Sequence, residues 1–158
     1  MTIKNDNFAK TSWGGVLSLG LLTITSYGSW LYGFGVLIDP INRTMGWSTT
    51  TLGLTYGAAQ AISGIGAFLG GRLLDRLGVK GPFTLLALFG GGLMLAAFSA
   101  ESMLNFGLLY AAGAGITGAT GFYHITTVAS ARRHPQHPDR AIAMLTIVGA
   151  LCSPIYLP

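Results

Sequence analysis

Charged residues are scarce in this sequence, and their scarcity excludes most classes of soluble protein. Only 9% of the 158 residues are charged and 51% are hydrophobic, which gives a mean hydropathy of +0.57. A typical soluble domain carries about 25% charged residues. With so few charges, a soluble fold would have to expose a largely apolar surface to water. The composition therefore predicts a membrane protein.

Several kinds of site are also missing from the sequence. Cysteine occurs once, as Cys152, so the chain can form no internal disulfide. No nucleophile, base and orienting group occur together, and no phosphate-binding loop follows a strand, so no enzyme is expected. His134 and His137 have no acidic or thiol partner at ligand spacing. We therefore expect neither a metal site nor a cofactor.

Five long apolar segments remain, and each is long enough to cross a membrane as a helix. Crossing takes about 20 mostly apolar residues, whereas alternation over about ten residues, the mark of an outer-membrane strand, does not occur. The sequence predicts an all-α, polytopic membrane helix bundle with helices near residues 13–38, 49–71, 82–100, 104–128 and 141–158. Ser48 and Asp139 are expected to cap the second and fifth helices, and Pro82 suits the first position of the third.

The distribution of basic residues predicts how the bundle is oriented. Cytoplasmic loops of membrane proteins are rich in Lys and Arg. All basic residues except Arg43 fall on one side of the predicted bundle: Lys4, Lys10, Arg72, Arg76, Lys80, Arg132, Arg133 and Arg140. We therefore expect an integral protein of the plasma (inner) membrane with a cytoplasmic amino terminus. Because these bases are spread over three short loops, they do not indicate nucleic-acid binding.

Small residues at four-residue spacing predict which helices pack tightly, because they let backbones approach closely in lipid. The second helix carries Gly53, Gly57, Ala61, Gly66 and Gly70. The fourth carries Gly107, Ala111, Gly115 and Ala119 on one face and Gly113, Thr117 and Gly121 on another. The third helix has a bulky apolar surface around residues 85–89 and 93–98. It is therefore the best candidate for lipid exposure.

A short, highly charged segment separates the second and third helices. It reads Gly71-Arg72-Leu73-Leu74-Asp75-Arg76-Leu77-Gly78-Val79-Lys80. This pattern resembles the cytoplasmic loop signature of the major facilitator superfamily of secondary transporters. The resemblance implies that the chain is the first five helices of a six-helix half, with the carboxy-terminal half as a missing partner. It also implies a conformational-switch loop formed by Gly71, Asp75, Arg76, Gly78 and Lys80.

Two further segments resemble one branch of this superfamily. Residues 32–41 followed by Gly46-Trp47-Ser48, and Arg140-Ala141-Ile142-Ala143, are similar to the monocarboxylate transporter and oxalate:formate antiporter group. The resemblance implies a secondary transporter that moves a small organic solute, expected to be a carboxylate anion, by alternating access. The first helix lacks the lysine that some monocarboxylate transporters carry, and the fourth lacks the arginine usual in drug and proton antiporters. A drug or other solute efflux facilitator, and a small polytopic membrane scaffold without transport activity, are the alternatives.

Polar groups on the apolar helices indicate where a solute would bind, because intramembrane polar residues usually face the bundle interior or water. Tyr27, Trp30 and Phe34 share one face of the first helix by helical spacing. The candidate solute-binding residues are Tyr27, Tyr32, Tyr56, Gln60, Tyr123, His124 and Tyr156. Aromatic hydroxyls and an amide suit a small organic anion whose charge is neutralised by a basic residue elsewhere. Packing or interface anchoring is the alternative role for each, and His124 could instead relay protons.

Overall fold

The computed structural model describes residues 14–77 and 82–156, which form a bundle of helices. The structure is 90% helical and the described residues contain no strand, which confirms the predicted all-α membrane bundle. The elements in chain order are α1 (Gly14–Ser26), a π-helical segment (Tyr27–Tyr32), α2 (Gly33–Met45), α3 (Thr49–Leu77), α4 (Pro82–Ala97), α5 (Met103–Gly121), α6 (Tyr123–Arg133), α7 (Pro138–Ala150) and α8 (Cys152–Tyr156).

Within residues 14–77 and 82–156, three stretches of helix are long and apolar enough to cross a membrane. They are Gly14–Met45, Thr49–Arg72 and Pro138–Tyr156, and α4 contributes a shorter apolar stretch, Phe83–Ala97. The predicted signals at two helix starts are confirmed. The Ser48 hydroxyl accepts a hydrogen bond from the Thr51 amide at 3.1 Å, and α4 begins at Pro82.

The first span is longer than predicted. Helix α2 continues past residue 38 to Met45, because Asp39 and Arg43 end the apolar run without ending the helix. These two side chains lie one turn apart and form an exposed ion pair at 2.7 Å. The helix ends at Gly46, which has a φ of 69°, a left-handed conformation that glycine adopts readily.

The second span also continues beyond its predicted end. Helix α3 runs six residues past position 71, so Gly71 and Arg76 lie in its last turns and not in a loop. Asp75 belongs to the same helix, but its side chain is outside the described part of the structure. Gly78 and Lys80 lie outside the described residues altogether. The loop prediction was therefore wrong for the segment 71–77, since helix formation continues through its charged residues. The third helix, by contrast, ends three residues before its predicted end, at Ala97.

The predicted fourth helix is divided in two at Phe122. Phe122 has an extended backbone, with φ −79° and ψ 165°. Its carbonyl accepts the Ile125 and Thr126 amides at 3.0 and 3.1 Å, which starts α6. Gly121 lies against the Ser26 hydroxyl, so no side chain fits between α1 and this junction. A single helix over 104–128 was therefore a wrong prediction, since the backbone is extended at Phe122. The contact between Gly121 and Ser26 of α1 lies at this break.

The fifth span differs from its prediction at both ends. Helix α7 begins at Pro138, and His137 occupies the N-cap position expected for Asp139, which is exposed in the first turn. The span is interrupted at Leu151, after which α8 continues to Tyr156. Residues 157–158 lie outside the described part.

Helix α5 forms the centre of the bundle, because α3 and α4 both pack on it. Its glycines leave room for each neighbour: a Cβ at Gly115 would clash with Ile62, and one at Gly113 would lie 2.6 Å from the Gly90 carbonyl. The two predicted packing faces of this helix are thus confirmed. On α3 the prediction holds only for Gly66 and Gly70, which contact Ala119.

Three further glycines of α3 point away from the described helices. Gly53, Gly57 and Gly64 have open space where a Cβ would be, and all three are exposed. The outer face of α4 is exposed as well, with Leu85 and Leu95 69% and 74% accessible. This confirms that the third span presents a bulky apolar surface outwards.

Hydrogen bonds of hydroxyl and thiol side chains join α1, α6, α7 and α8. The Thr23 and Thr126 hydroxyls share a buried hydrogen bond of 2.9 Å. The Ser130 hydroxyl donates to the Ala141 carbonyl at 3.2 Å, and the Cys152 thiol donates to the Ile24 carbonyl at 3.4 Å. We call Thr23, Thr126, Ser130 and Cys152 the hydroxyl seam.

Candidate solute site

Aromatic rings form a continuous stack through the interior of the bundle. Neighbouring ring centroids lie 4.0 to 5.9 Å apart, within or close to the range of favourable aromatic contacts. In order of contact, the stack comprises Tyr27, Phe122, Trp30, Tyr56, Phe34, Tyr110 and Phe106. We call it the aromatic column. It joins the π segment, the α5–α6 junction, α3, α2 and α5.

Three of the predicted tyrosines, which come from three different spans, meet at the π segment. The Tyr27 and Tyr123 ring centroids are 5.5 Å apart. The Tyr156 ring lies directly against Gly28, where no Cβ would fit. Tyr123 in turn donates a hydrogen bond of 3.4 Å to the Thr146 carbonyl. The structure therefore brings the Tyr27 and Tyr123 rings into contact and places Tyr156 against Gly28, the residue next to Tyr27.

The π segment depends on two glycines. The Gly33 amide donates to the Gly28 carbonyl, five residues earlier, which is the hydrogen bond of a π-helix. A Cβ at Gly33 would lie 2.8 Å from that same carbonyl oxygen. Short π-helical stretches inside α-helices occur often at functional sites. Here the stretch places Tyr27 beside Phe122 and leaves room for Tyr156 against Gly28.

Tyr56 and Gln60 form a second polar group, one turn apart on α3. The Gln60 side-chain amide donates to the Tyr56 hydroxyl at 3.2 Å. Gln60 is exposed, and the half-buried Tyr56 ring lies between Trp30 and Phe34. The aromatic column thus connects this pair to the cluster at the π segment through Trp30 and Phe122.

The last two predicted residues, His124 and Tyr32, lie beside the column. His124 is exposed, with its ring edge-on to Phe122 at a centroid distance of 6.1 Å. Tyr32 is half-buried at the end of the π segment. The described residues hold no group of three or more His, Cys, Asp or Glu side chains placed to bind a metal ion.

Sequence reasoning missed three members of the column, Phe106, Tyr110 and Phe122. Tyr110 is an intramembrane tyrosine, so the criterion that selected Tyr56 could have found it. Phe122 follows a glycine-rich stretch, and that composition was the available signal for a helix break. Two buried polar atoms, the Trp30 indole nitrogen and the Tyr110 hydroxyl, have no hydrogen-bond partner among the described residues. Both belong to the column.

The fold and the charged end of α3 agree with a family assignment. The chain belongs to the major facilitator superfamily, whose family model, Major Facilitator Superfamily, matches residues 2–156. It is accordingly an integral, multi-pass membrane protein of a family of transporters, not of enzymes. No curated protein and no solved structure matches the chain.

Proposed function

We propose that the chain is part of a secondary transporter that moves a small organic solute, a carboxylate anion, by alternating access. The observation that carries this proposal is the meeting of Tyr27, Tyr123 and Tyr156 at the π segment. Phenol hydroxyls can donate hydrogen bonds to a carboxylate without adding charge. The Gln60–Tyr56 pair, connected through the column, supplies an amide at the other end of the candidate site.

The solute's charge must be neutralised by a group outside the aromatic column, since no member of the column carries a cationic side chain. We place that group in a carboxy-terminal half of the same transporter. The exposed face of α3 supports this, because Gly53, Gly57 and Gly64 offer the close approach that helices in lipid use. Within the superfamily, the proposed transporter is most similar to the monocarboxylate transporter and oxalate:formate antiporter group.

The orientation belongs to the same proposal. Arg72 and Arg76 near the end of α3, Arg132 and Arg133 at the end of α6, and Arg140 in α7 fall on the basic side of the bundle. By the preference of basic residues for the cytoplasm, this side and the amino terminus are cytoplasmic, in a plasma membrane.

The test is solute uptake by proteoliposomes that contain the chain joined to a carboxy-terminal half. Tyr27→Phe and Tyr156→Phe keep the rings but remove hydroxyls that would contact the carboxylate. A hydrogen bond to a charged group contributes about 1.5–3 kcal/mol, so each change is expected to reduce kcat/KM for oxalate, formate or lactate at least tenfold. Thr25→Val, which removes an exposed hydroxyl that bonds only within α1, is the control and should transport normally.

Other results would replace the proposal. Unchanged carboxylate uptake by both tyrosine variants would remove the solute site. Uptake of a cationic drug in place of carboxylates would favour an efflux facilitator, and no uptake of any solute class would favour a scaffold. The chain alone is expected to catalyse no uptake, so saturable uptake by it would contradict the need for a second half.

We further propose that Asp75 acts in the conformational switch by contacting the start of a helix in the carboxy-terminal half. A carboxylate near a helix amino terminus gains up to about 2 kcal/mol when partly buried, which is enough to shift a two-state population roughly thirtyfold. Asp75→Asn is therefore expected to lower transport strongly while membrane abundance stays near wild type. Near-normal transport by this variant would leave Asp75 as a surface charge.

A further inference from the structure

An apolar groove of about 290 Å³ lies between α3 and α4, with α5 as its floor. It exists because α3 and α4 both pack on α5 and make few contacts with each other among the described residues. Leu69 and Gly70 form one wall, Phe83 and Leu86 form the other, and Ala119 lies on the floor. The Thr120 hydroxyl at the groove donates to the Ile116 carbonyl at 3.0 Å, so this polar group is already hydrogen-bonded. The groove is therefore suited to a hydrocarbon chain.

Basic residues follow the groove on α3. Leu69, Arg72 and Arg76 are three and four residues apart, so they succeed one another along the helix at helical spacing. The run of uncharged residues along α3 ends immediately before Arg72, which puts this guanidinium at the edge of the hydrocarbon region and Arg76 one turn further out. Both are exposed. The Arg72 guanidinium lies 4.3 Å from the centroid of the Phe68 ring, and this contact holds it close to the helix.

We propose that this groove binds one anionic phospholipid, with an acyl chain between α3 and α4 and the phosphate at Arg72 and Arg76. The apolar groove matches the acyl chain of such a lipid. The cations beyond the end of the groove match its phosphate headgroup. Basic residues at the end of a membrane helix attract anionic headgroups, whereas a zwitterionic lipid offers them no net charge. This inference rests on the helix packing and does not depend on the proposed transport.

A photoactivatable phosphatidylglycerol with a diazirine in its acyl chain tests the proposal in vesicles that contain the chain. Crosslinks mapped by mass spectrometry are expected on the groove walls, in the peptides that contain Leu69 and Leu86. Leu86→Trp fills the groove and should reduce this labelling at least fivefold. Leu85→Trp adds the same ring at the neighbouring, outward-facing position, so its labelling of the groove should equal that of wild type.

The headgroup is tested by charge removal and by a second probe. Combined Arg72→Gln and Arg76→Gln should lower phosphatidylglycerol labelling of the groove to the level of a phosphatidylcholine probe. Arg140→Gln removes a charge at a distant site and should change nothing. Equal labelling by the two probes in wild type, or labelling that survives Leu86→Trp, would overturn the proposal. Should Leu86→Trp fail to fold by circular dichroism, Leu69→Trp fills the groove from the opposite wall and is judged by the same labelling.

Discussion

The aromatic column and the hydroxyl seam join the helices of the same bundle by different means. The column brings together large rings from the π segment, α2, α3 and α5, and it includes the fully buried Trp30 and Phe34. The seam joins α1 to α6 and α8, and α6 to α7, through hydrogen bonds that are made within the protein. Burial of ring surface stabilises the first region, and close backbone approach with paired hydroxyls stabilises the second.

This difference shows where polar groups remain available for a ligand. In the seam, each polar side chain has a partner. In the column, the Trp30 indole nitrogen and the Tyr110 hydroxyl are buried without one among the described residues. An unpaired buried polar group costs free energy, and that cost is removed when a partner arrives. These unpaired groups support placing the proposed solute site in the column and not in the seam.

The largest expected effect comes from removing a ring of the column. Trp30→Ala should lower the free energy of unfolding by about 3–5 kcal/mol, because it leaves a cavity beside Phe122, Tyr56 and Gly118. Reversible unfolding in mixed micelles measures this. Phe89→Ala, on the exposed face of α4, is the control and should change the value by less than about 0.5 kcal/mol. A loss below about 1 kcal/mol for Trp30→Ala would show that the column is not closely packed.

A smaller effect is expected when a side chain is added beside the seam. A Cβ at Gly20 would lie 2.6 Å from a Val148 methyl carbon, and the β-branched valine has few rotamers with which to move away. Gly20→Ala should therefore destabilise the protein by about 1–3 kcal/mol. Gly35→Ala on α2, where nothing lies within 4 Å of the new carbon, should instead stabilise it by about 0.5–1 kcal/mol. Equal melting temperatures for the two variants would contradict close packing at α1.

The smallest effect belongs to a single hydrogen bond of the seam. Interhelical hydrogen bonds in membranes contribute about 0.6 kcal/mol on average. A double-mutant cycle of Thr23→Val and Thr126→Val should give a coupling energy near this value. The same cycle with Thr25→Val, whose exposed hydroxyl bonds only within its own helix, should give about zero. A coupling above about 2 kcal/mol would show that the two regions do not differ as described.

The sequence could predict the features that depend on residues close together in the chain. Run length and composition located the apolar segments, and small-residue spacing identified both packing faces of α5. The break at Phe122 was missed because it involves Ser26 of another helix. The π segment was missed for a similar reason: helical spacing assumes 3.6 residues per turn throughout, and Tyr156, far along the chain, packs against Gly28. Which tyrosines meet depends on these two irregularities, so the candidate residues were predictable one by one but their cluster was not.

The central position of α5 also has a consequence for the order in which the bundle forms. Helices α3 and α4 are synthesised first, yet they make few contacts with each other in the described structure, and each rests on α5. Until α5 has entered the bilayer, Gly66 and Gly90 have only lipid beside them. The second and third spans therefore pack into one unit only after the fourth has been inserted. Assembly of this side of the protein thus depends on α5, which is synthesised after α3 and α4.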